Sequence, residues 1–590
     1  MFSYNFLLKA ATGLLFAALV ASKPAPYPLA IRQSNSTCNT PDNRACWSDG
    51  FDINTDYDRY IPQGITRNID LVITNVSSFA PDGYEKSAML INGTFPGPTI
   101  IGDWGDTFRI TVHNELGDNG TSIHWHGLRM LNTSIQDGAN GVTECPIPGD
   151  GGSRTYTFRA TQYGTAWYHS HFSAQYGDGV VGAIQINGPA SANYDIDLGP
   201  YVITDWYRRP AFELERSSEL TTNPLPPTSS NILFNGTNIN PDPSITGGRY
   251  SRVTLTPGKK HRLRIINTSV ENHFTVSLVG HNLTVISTDF VPVEPLVVPS
   301  LFVAIGQRYD VIIDADQQAG NYWFNATLEG GLCGTTANNG AAAIFSYDDT
   351  ATISSVPDNF GVPLDTIPCV DNTGFVPVIS RTAPVADFSG DNILDITLDT
   401  PTIGNASVFR WQVNSQNIDV MWEKPTLEYV REGNTSYPTE ANIVVVDDAD
   451  VWTFWVVQNE NSVPHPIHLH GHDFLVLGTS DISMGAATEV VHFDPTTDLE
   501  RLNFNNPTRR DVAMLPSNGW LVLAWVTDNP GAWLMHCHIA WHVSQGLSVQ
   551  FLERRNEIPE VMDLDSLEPG CTEWEEWIPH NPYQQTDSGL

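Results

Sequence analysis

Four His-x-His pairs constrain this chain more than any other feature: His124-Trp-His126, His169-Ser-His171, His468-Leu-His470 and His536-Cys-His538. Residues two apart on a strand point to one face, so each pair offers two imidazoles to the same side of a sheet. Two pairs lie toward the front of the chain and two toward the back. For them to meet, the first folded segment must close against the last. The final pair sits in His536-Cys-His-Ile-Ala-Trp-His542, where alternation turns Cys537 away from His536 and His538. One short strand can then serve two metal sites, Cys537 at one and its neighbours at the other.

A thiolate with two imidazoles suits a blue-copper electron-transfer centre. His542 lies just after the cysteine and His465 just before Pro466, and these supply the imidazoles. The weak axial ligand of such centres usually falls ten residues after the cysteine; here that residue is Leu547, which cannot coordinate. Without thioether donation the reduced ion is favoured, which predicts a more oxidising site. The eight paired histidines divide as two, three and three among three further coppers, placed between the first and third domains. Zinc is the rival metal, but closed zinc sites use more cysteine or fewer histidines. An isolated His-x-His pair is often plain surface histidine; four pairs with the His-Cys-His stretch are not. His113, His261, His273, His281, His472, His492 and His580 lack comparable spacing and read as surface or supporting groups.

Apolar segments such as IDLVITNV, DTFRITVHN, YDVIIDA, WTFWVVQN and WLVLAWVTD are short, β-branched or aromatic, and bounded by Gly, Pro, Asn or Asp. Long helical patterns are scarce, which predicts an all-β chain. The front and back share an order: a histidine pair followed by glycine, then a Gly-to-Trp segment leading into the second pair. Between them runs a strand-rich stretch without such pairs. Three β-sandwich domains are expected, at 33–190, 191–365 and 366–590, after a leader and short propeptide over 1–32.

The formal charge of −36, from 66 acids against 30 bases, argues against nucleic acid as a partner and leaves small neutral or cationic substrates. The leader reads as a secretory signal, no later run is long enough to span a membrane, and sequons recur from Asn35 to Asn434. A secreted, extracellular glycoprotein is expected. Cys537 belongs to the metal motif, which leaves Cys38, Cys46, Cys145, Cys333, Cys369 and Cys571 for disulfides. Counting leaves their pairing open, though Cys38–Cys46 is easy to close and Cys145–Cys571 would staple the end of the chain to its beginning.

The stretches HWHG, WYHSHF, HPIHLHGHDF and HCHIAWHVSQGL resemble those of the multicopper oxidases, and more narrowly the laccases of filamentous ascomycetes, over essentially the whole mature chain. The resemblance implies three cupredoxin-like Greek-key domains, four coppers, and a monomer or weak dimer acting on phenols or aromatic amines and dioxygen. It implies His465, Cys537 and His542 as type 1 ligands and His124 with His468 as type 2 ligands. His126, His169 and His538 would hold one type 3 copper, and His171, His470 and His536 the other. It implies the disulfides Cys38–Cys46, Cys145–Cys571 and Cys333–Cys369. Glu271 matches the carboxylate of the phenol pocket, where a base would take the proton released on oxidation; a solvated acid is the plain alternative. Trp541 would line the same pocket. Asp137 matches an acid near the type 2 copper, against a simple turn-capping role. The terminal Asp587-Ser-Gly-Leu590 is similar to a tail that plugs the channel to the cluster. The competing readings are a ferroxidase or ascorbate oxidase, and a non-enzymatic copper-storage or electron-transfer cupredoxin.

Overall fold

The computed structural model describes residues 30–32, 38–48, 50–328, 333–347, 369–480, 489–581 and 584–590. The leader as far as residue 29, and the expected boundary at 365/366, lie outside these residues. Alternation makes the strands: in Thr107–Glu115, Phe108, Ile110 and Val112 are fully buried while their neighbours reach outward. Where both faces are covered the alternation gives way to an apolar run, as in Trp520–Val526. Helices are short, the longest described being Glu568–Trp577.

The strands build three cupredoxin-like domains. Each opens on a parallel pair: Thr66–Phe79 with Thr107–Glu115, Ile196–Trp206 with Lys260–Asn267, and Ile393–Asp399 with Trp452–Asn459. A hairpin cannot join parallel neighbours, so the intervening chain crosses to the opposing sheet and closes a sandwich. The second and third domains each pair a six-stranded with a five-stranded sheet, and the strand order of one matches the other throughout. In this correspondence Asn321–Thr327 takes the place of Gly531–Cys537, and it carries neither cysteine nor histidine.

The second domain has its own apolar core around Ile265, Phe274 and Phe324. The first and third share one: Trp125 and Trp167 belong to the same buried cluster as Trp533, Cys537 and Leu547. That shared core seals the seam where the histidine pairs meet. Disulfides join Cys38 to Cys46, Cys145 to Cys571 and Cys333 to Cys369, the pairing that the resemblance implies, and Cys537 is free and buried. Cys145–Cys571 ties the late helix Glu568–Trp577 to the first domain. No helix among the described residues is long and apolar enough to cross a membrane.

Candidate metal centre

The paired histidines sit less regularly on strands than alternation alone predicts. His169 ends Gly164–His169, His465 and His468 lie in His465–Leu469, and His536 and Cys537 close Gly531–Cys537. His124 makes only an isolated bridge to His169, while His126, His171, His470 and His538 fall in the loops that follow. Ring nitrogens must converge from several directions, which loops at strand ends allow and one flat face does not. Gly127 makes the first loop possible: it has a φ of +81°, and a Cβ there would meet Arg308 Nη2 at 2.3 Å.

Around Cys537 three ligand atoms converge. Its Sγ lies 3.5 Å from His465 Nδ1 and 3.6 Å from His542 Nδ1, and the two Nδ1 atoms are 3.2 Å apart. The Ile539 N–H donates to the sulfur at 3.4 Å. Burial holds the thiol above its ordinary value and the two imidazoles below theirs, with His542 at about 3. Neutral imidazoles beside a buried sulfur form a soft donor set suited to copper. Leu547 is buried in the same apolar cluster, and its carbonyl accepts the Cys537 N–H at 3.1 Å. Trp411 packs against both histidines with ring centroids 4.7 Å away.

The other eight histidines form one buried cluster. His124 stacks on His470 and His126 on His468, each pair at 3.8 Å between centroids. His538 Nε2 approaches His126 Nδ1 at 3.1 Å, and His470 Nε2 approaches His536 Nε2 at 3.2 Å. Outward nitrogens are anchored: Nδ1 of His124, His169, His468 and His536 lies 2.8–2.9 Å from the carbonyls of Asp137, Ser170, Asp511 and Cys537. A carbonyl fixes the proton on Nδ1 and leaves the Nε2 lone pair free. Nε2 of His124, His169 and His468 is buried without a hydrogen-bond partner. Burial, then the neighbouring imidazoles, hold His126, His171, His468, His470 and His538 well below their ordinary value. Neutral rings with inward lone pairs are what metal binding needs, so these residues fit a copper cluster.

Two carboxylates orient the rings. Asp137 Oδ2 accepts from His470 Nδ1 at 2.7 Å, while its carbonyl holds His124, so it supports one ring from the front of the chain and one from the back. Asp511, which sequence reasoning missed, lies 3.3 Å from His126 Nε2 and 3.6 Å from His468 Nδ1. Burial and Asp289 push Asp511 up to about 7, despite the bidentate Arg308 guanidinium at 2.5 and 2.7 Å. Of the histidines without metal spacing, His261, His273, His281 and His472 are buried. His472 pairs with Glu553 at 3.2 Å, and His281 with the Tyr347 hydroxyl at 2.6 Å.

Beside His542 opens a cavity of about 160 Å³, lined by Glu271, Trp411, Trp541, Phe409, Leu225 and His542 among others. Glu271 is 6% exposed and its Oε2 has no partner. Burial, reinforced by Asp205, raises its carboxyl well above the ordinary value. It is therefore no solvated surface acid. Trp411 is the other residue missed here, because a lone Trp in a strand carries no mark that distinguishes a cavity wall from core.

The chain end packs inward. Leu590 is 1% exposed, Ser588 hydrogen-bonds Val543 and Ser544, and Trp422 Nε1 donates to the Gly589 carbonyl. Asp587 accepts from Ser173, two residues past His171. Burial and the Asp587 charge push Glu215, on the helix Ala211–Ser218, up to about 8, and burial pushes Asp587 to about 6. Both groups hold protons in the folded chain that unfolded carboxyls release. Their stabilisation is complete below the unfolded values near 4 and is lost as pH rises through about 6 and then about 8. Relative to the parent, Glu215→Gln is therefore expected to gain melting temperature as pH rises from about 5 to 8, by roughly 3–5 °C at the upper end, read by scanning calorimetry on both proteins.

Profiles described as multicopper oxidase match residues 73–191, 199–350 and 408–557. The chain is 54% identical to laccase-1 of Melanocarpus albomyces, over 95% of this chain and 90% of that protein. It is 51% identical to laccase-2 of Podospora anserina, over 95% of this chain and 91% of that protein. Its fold is similar to the crystal structure of the laccase from Botrytis aclada, with a TM-score of 0.85 and 38% identity over 94% of this chain and 100% of that one.

Proposed function

We propose, from the premise that this chain belongs to the multicopper oxidase family and within it to the ascomycete laccases, that it oxidises phenols and aromatic amines beside His542 while dioxygen is reduced at the histidine cluster. The observation that carries this reading is the single strand end at which Cys537 faces one site while His536 and His538 face the other. An electron entering beside Cys537 has a short covalent path to the cluster.

His465, Cys537 and His542 would hold the type 1 copper, and Leu547, buried in the same apolar cluster as Cys537, would offer it no donor atom. His124 and His468 would hold the type 2 copper; His126, His169 and His538 one type 3 copper; His171, His470 and His536 the other. Copper supplies the one-electron acceptance at the first site and the four-electron reduction of dioxygen at the second. The balance is four phenols and one dioxygen giving four phenoxyl radicals and two waters. Glu271, whose Oε2 has no partner and which lines the cavity beside His542, takes the phenolic proton in its ionised form. Trp541 and Trp411 shape an apolar wall for an aromatic ring. Asp137 fixes the His124 and His470 rings, which supports a role in handing protons toward the cluster. The buried Asp587–Leu590 tail excludes water from that side. The sequence boundaries at 33–190, 191–365 and 366–590 are the proposed domain limits, and secretion is the proposed destination.

Turnover of a methoxyphenol, ascorbate and Fe(II) by the copper-loaded enzyme tests the substrate class. Faster Fe(II) turnover with negligible phenol oxidation would replace this reading by a ferroxidase. Glu271→Gln is expected to lower phenol kcat/KM by roughly 10–100-fold and to leave hexacyanoferrate(II), which releases no proton, within about twofold.

A further inference from the structure

Asp205, the last residue but one of the strand Ile196–Trp206, is 4% exposed and belongs to none of the metal or cavity-lining groups described above. Its carboxylate accepts the backbone N–H of three consecutive residues: Val270 on Oδ1 at 2.9 Å, and Glu271 and Asn272 on Oδ2 at 3.0 and 3.1 Å. The Tyr207 hydroxyl adds a fourth bond to Oδ2 at 3.2 Å, and the Asp205 N–H donates to Ser269 Oγ at 3.0 Å. Consecutive backbone N–H groups wrapped around one carboxylate leave the turn little freedom.

That turn carries one residue of the cavity wall and is hydrogen-bonded to the helix that carries two more. Glu271 projects from it, and the Val270 carbonyl accepts the Ala540 N–H at 2.9 Å at the start of the helix Ala540–Ser544, which bears Trp541 and His542. Tyr207 packs edge-on to Trp541 at 6.0 Å. We propose that Asp205 is the positioning residue of the phenol site: by gripping the 270–272 turn it aims the Glu271 carboxylate at the hydroxyl of a phenol standing against His542. This inference rests on Glu271 being the proton acceptor of the reaction. Asp205 touches no substrate and acts only through Glu271. An asparagine there keeps one acceptor oxygen but turns an NH₂ group toward backbone donors, so the turn must shift.

The test is a double-mutant cycle on the copper-loaded enzyme with Asp205→Asn, Glu271→Gln and the pair, using 2,6-dimethoxyphenol and hexacyanoferrate(II) as separate donors. Asp205→Asn is expected to lower phenol kcat/KM about tenfold, mostly in kcat, with hexacyanoferrate(II) turnover within about twofold. Adding it to Glu271→Gln should then cost less than about twofold more. An equal loss for both donors, or a tenfold loss that persists in the Glu271→Gln background, would overturn the proposal. So would a Glu271→Gln defect with no Asp205→Asn defect, which leaves Glu271 as the base and removes Asp205 alone. Unchanged phenol turnover in Glu271→Gln would instead remove the base itself and the proposal with it. If Asp205→Asn does not yield folded protein, Tyr207→Phe deletes one donor to the same oxygen; a phenol-selective loss of about threefold supports the assignment, and equal losses for both donors refute it.

Discussion

Replacing Cys537 with serine is expected to lower phenol turnover by at least about a thousandfold and to remove one copper per chain, with the fold retained. The sulfur is the soft member of a three-atom site, 3.5 Å from His465 Nδ1 and 3.6 Å from His542 Nδ1. Serine keeps the volume nearly constant, and its oxygen can still accept the Ile539 N–H, so packing changes little. A hydroxyl is neither ionised nor polarisable enough to stand in for a thiolate. The backbone consequences are small as well: the Cys537 N–H still donates to the Leu547 carbonyl, and the Cys537 carbonyl still holds His536 Nδ1 at 2.8 Å. The cluster should therefore keep its metal while the entry site loses it. Metal analysis, the intense visible band and phenol-dependent oxygen uptake check all three points together. Phenol oxidation surviving in a protein that lacks the band would place electron entry elsewhere.

The contrast between Cys537 and Asp511 explains what was legible in the sequence. Metal chemistry restricts residue type and spacing at once, so the histidine pairs and His-Cys-His are readable as they stand. Strand alternation explains why Cys537 parts from its neighbours, but it overreached at His124 and His126, where a Gly127 turn does the work of a strand. Three sandwiches were readable because strand-like runs recur. The matched strand order of the second and third domains was not, since pairing between distant strands leaves no local mark. Asp205, Arg308, Trp411 and Asp511 belong to residue types with many ordinary uses. Their meaning arises only from partners brought close by the fold, as when Asp511 meets His126 from the other end of the chain.

Arg308 is where those long-range partners concentrate, and its loss should be the largest effect on stability. It is fully buried at the head of the strand Arg308–Asp314 in the second domain. Its guanidinium grips both oxygens of Asp511 in the third domain and donates to the Thr165 carbonyl in the first at 3.1 Å, so one side chain ties all three. Asp289 stands 3.5 Å away, and its carboxylate is itself held low by Arg510 and Arg308. Arg308→Met keeps the aliphatic stem but leaves Asp511 buried without its fork, a change that typically costs about 3–5 kcal/mol. The melting temperature should fall by roughly 5–10 °C. Asp511→Asn in the same background should recover part of that loss, because without Arg308 the buried Asp511 must either stay ionised unpaired or take up a proton to become neutral. Asp511 also steadies His126 and His468, so copper occupancy of the cluster should fall with Arg308→Met while the Cys537 site keeps its metal. Calorimetry and metal analysis on the single and double variants separate these effects. A melting temperature within about 1 °C of the parent would mean that Asp511 is neutral in the folded chain and that its bond to Arg308 carries little of the stability.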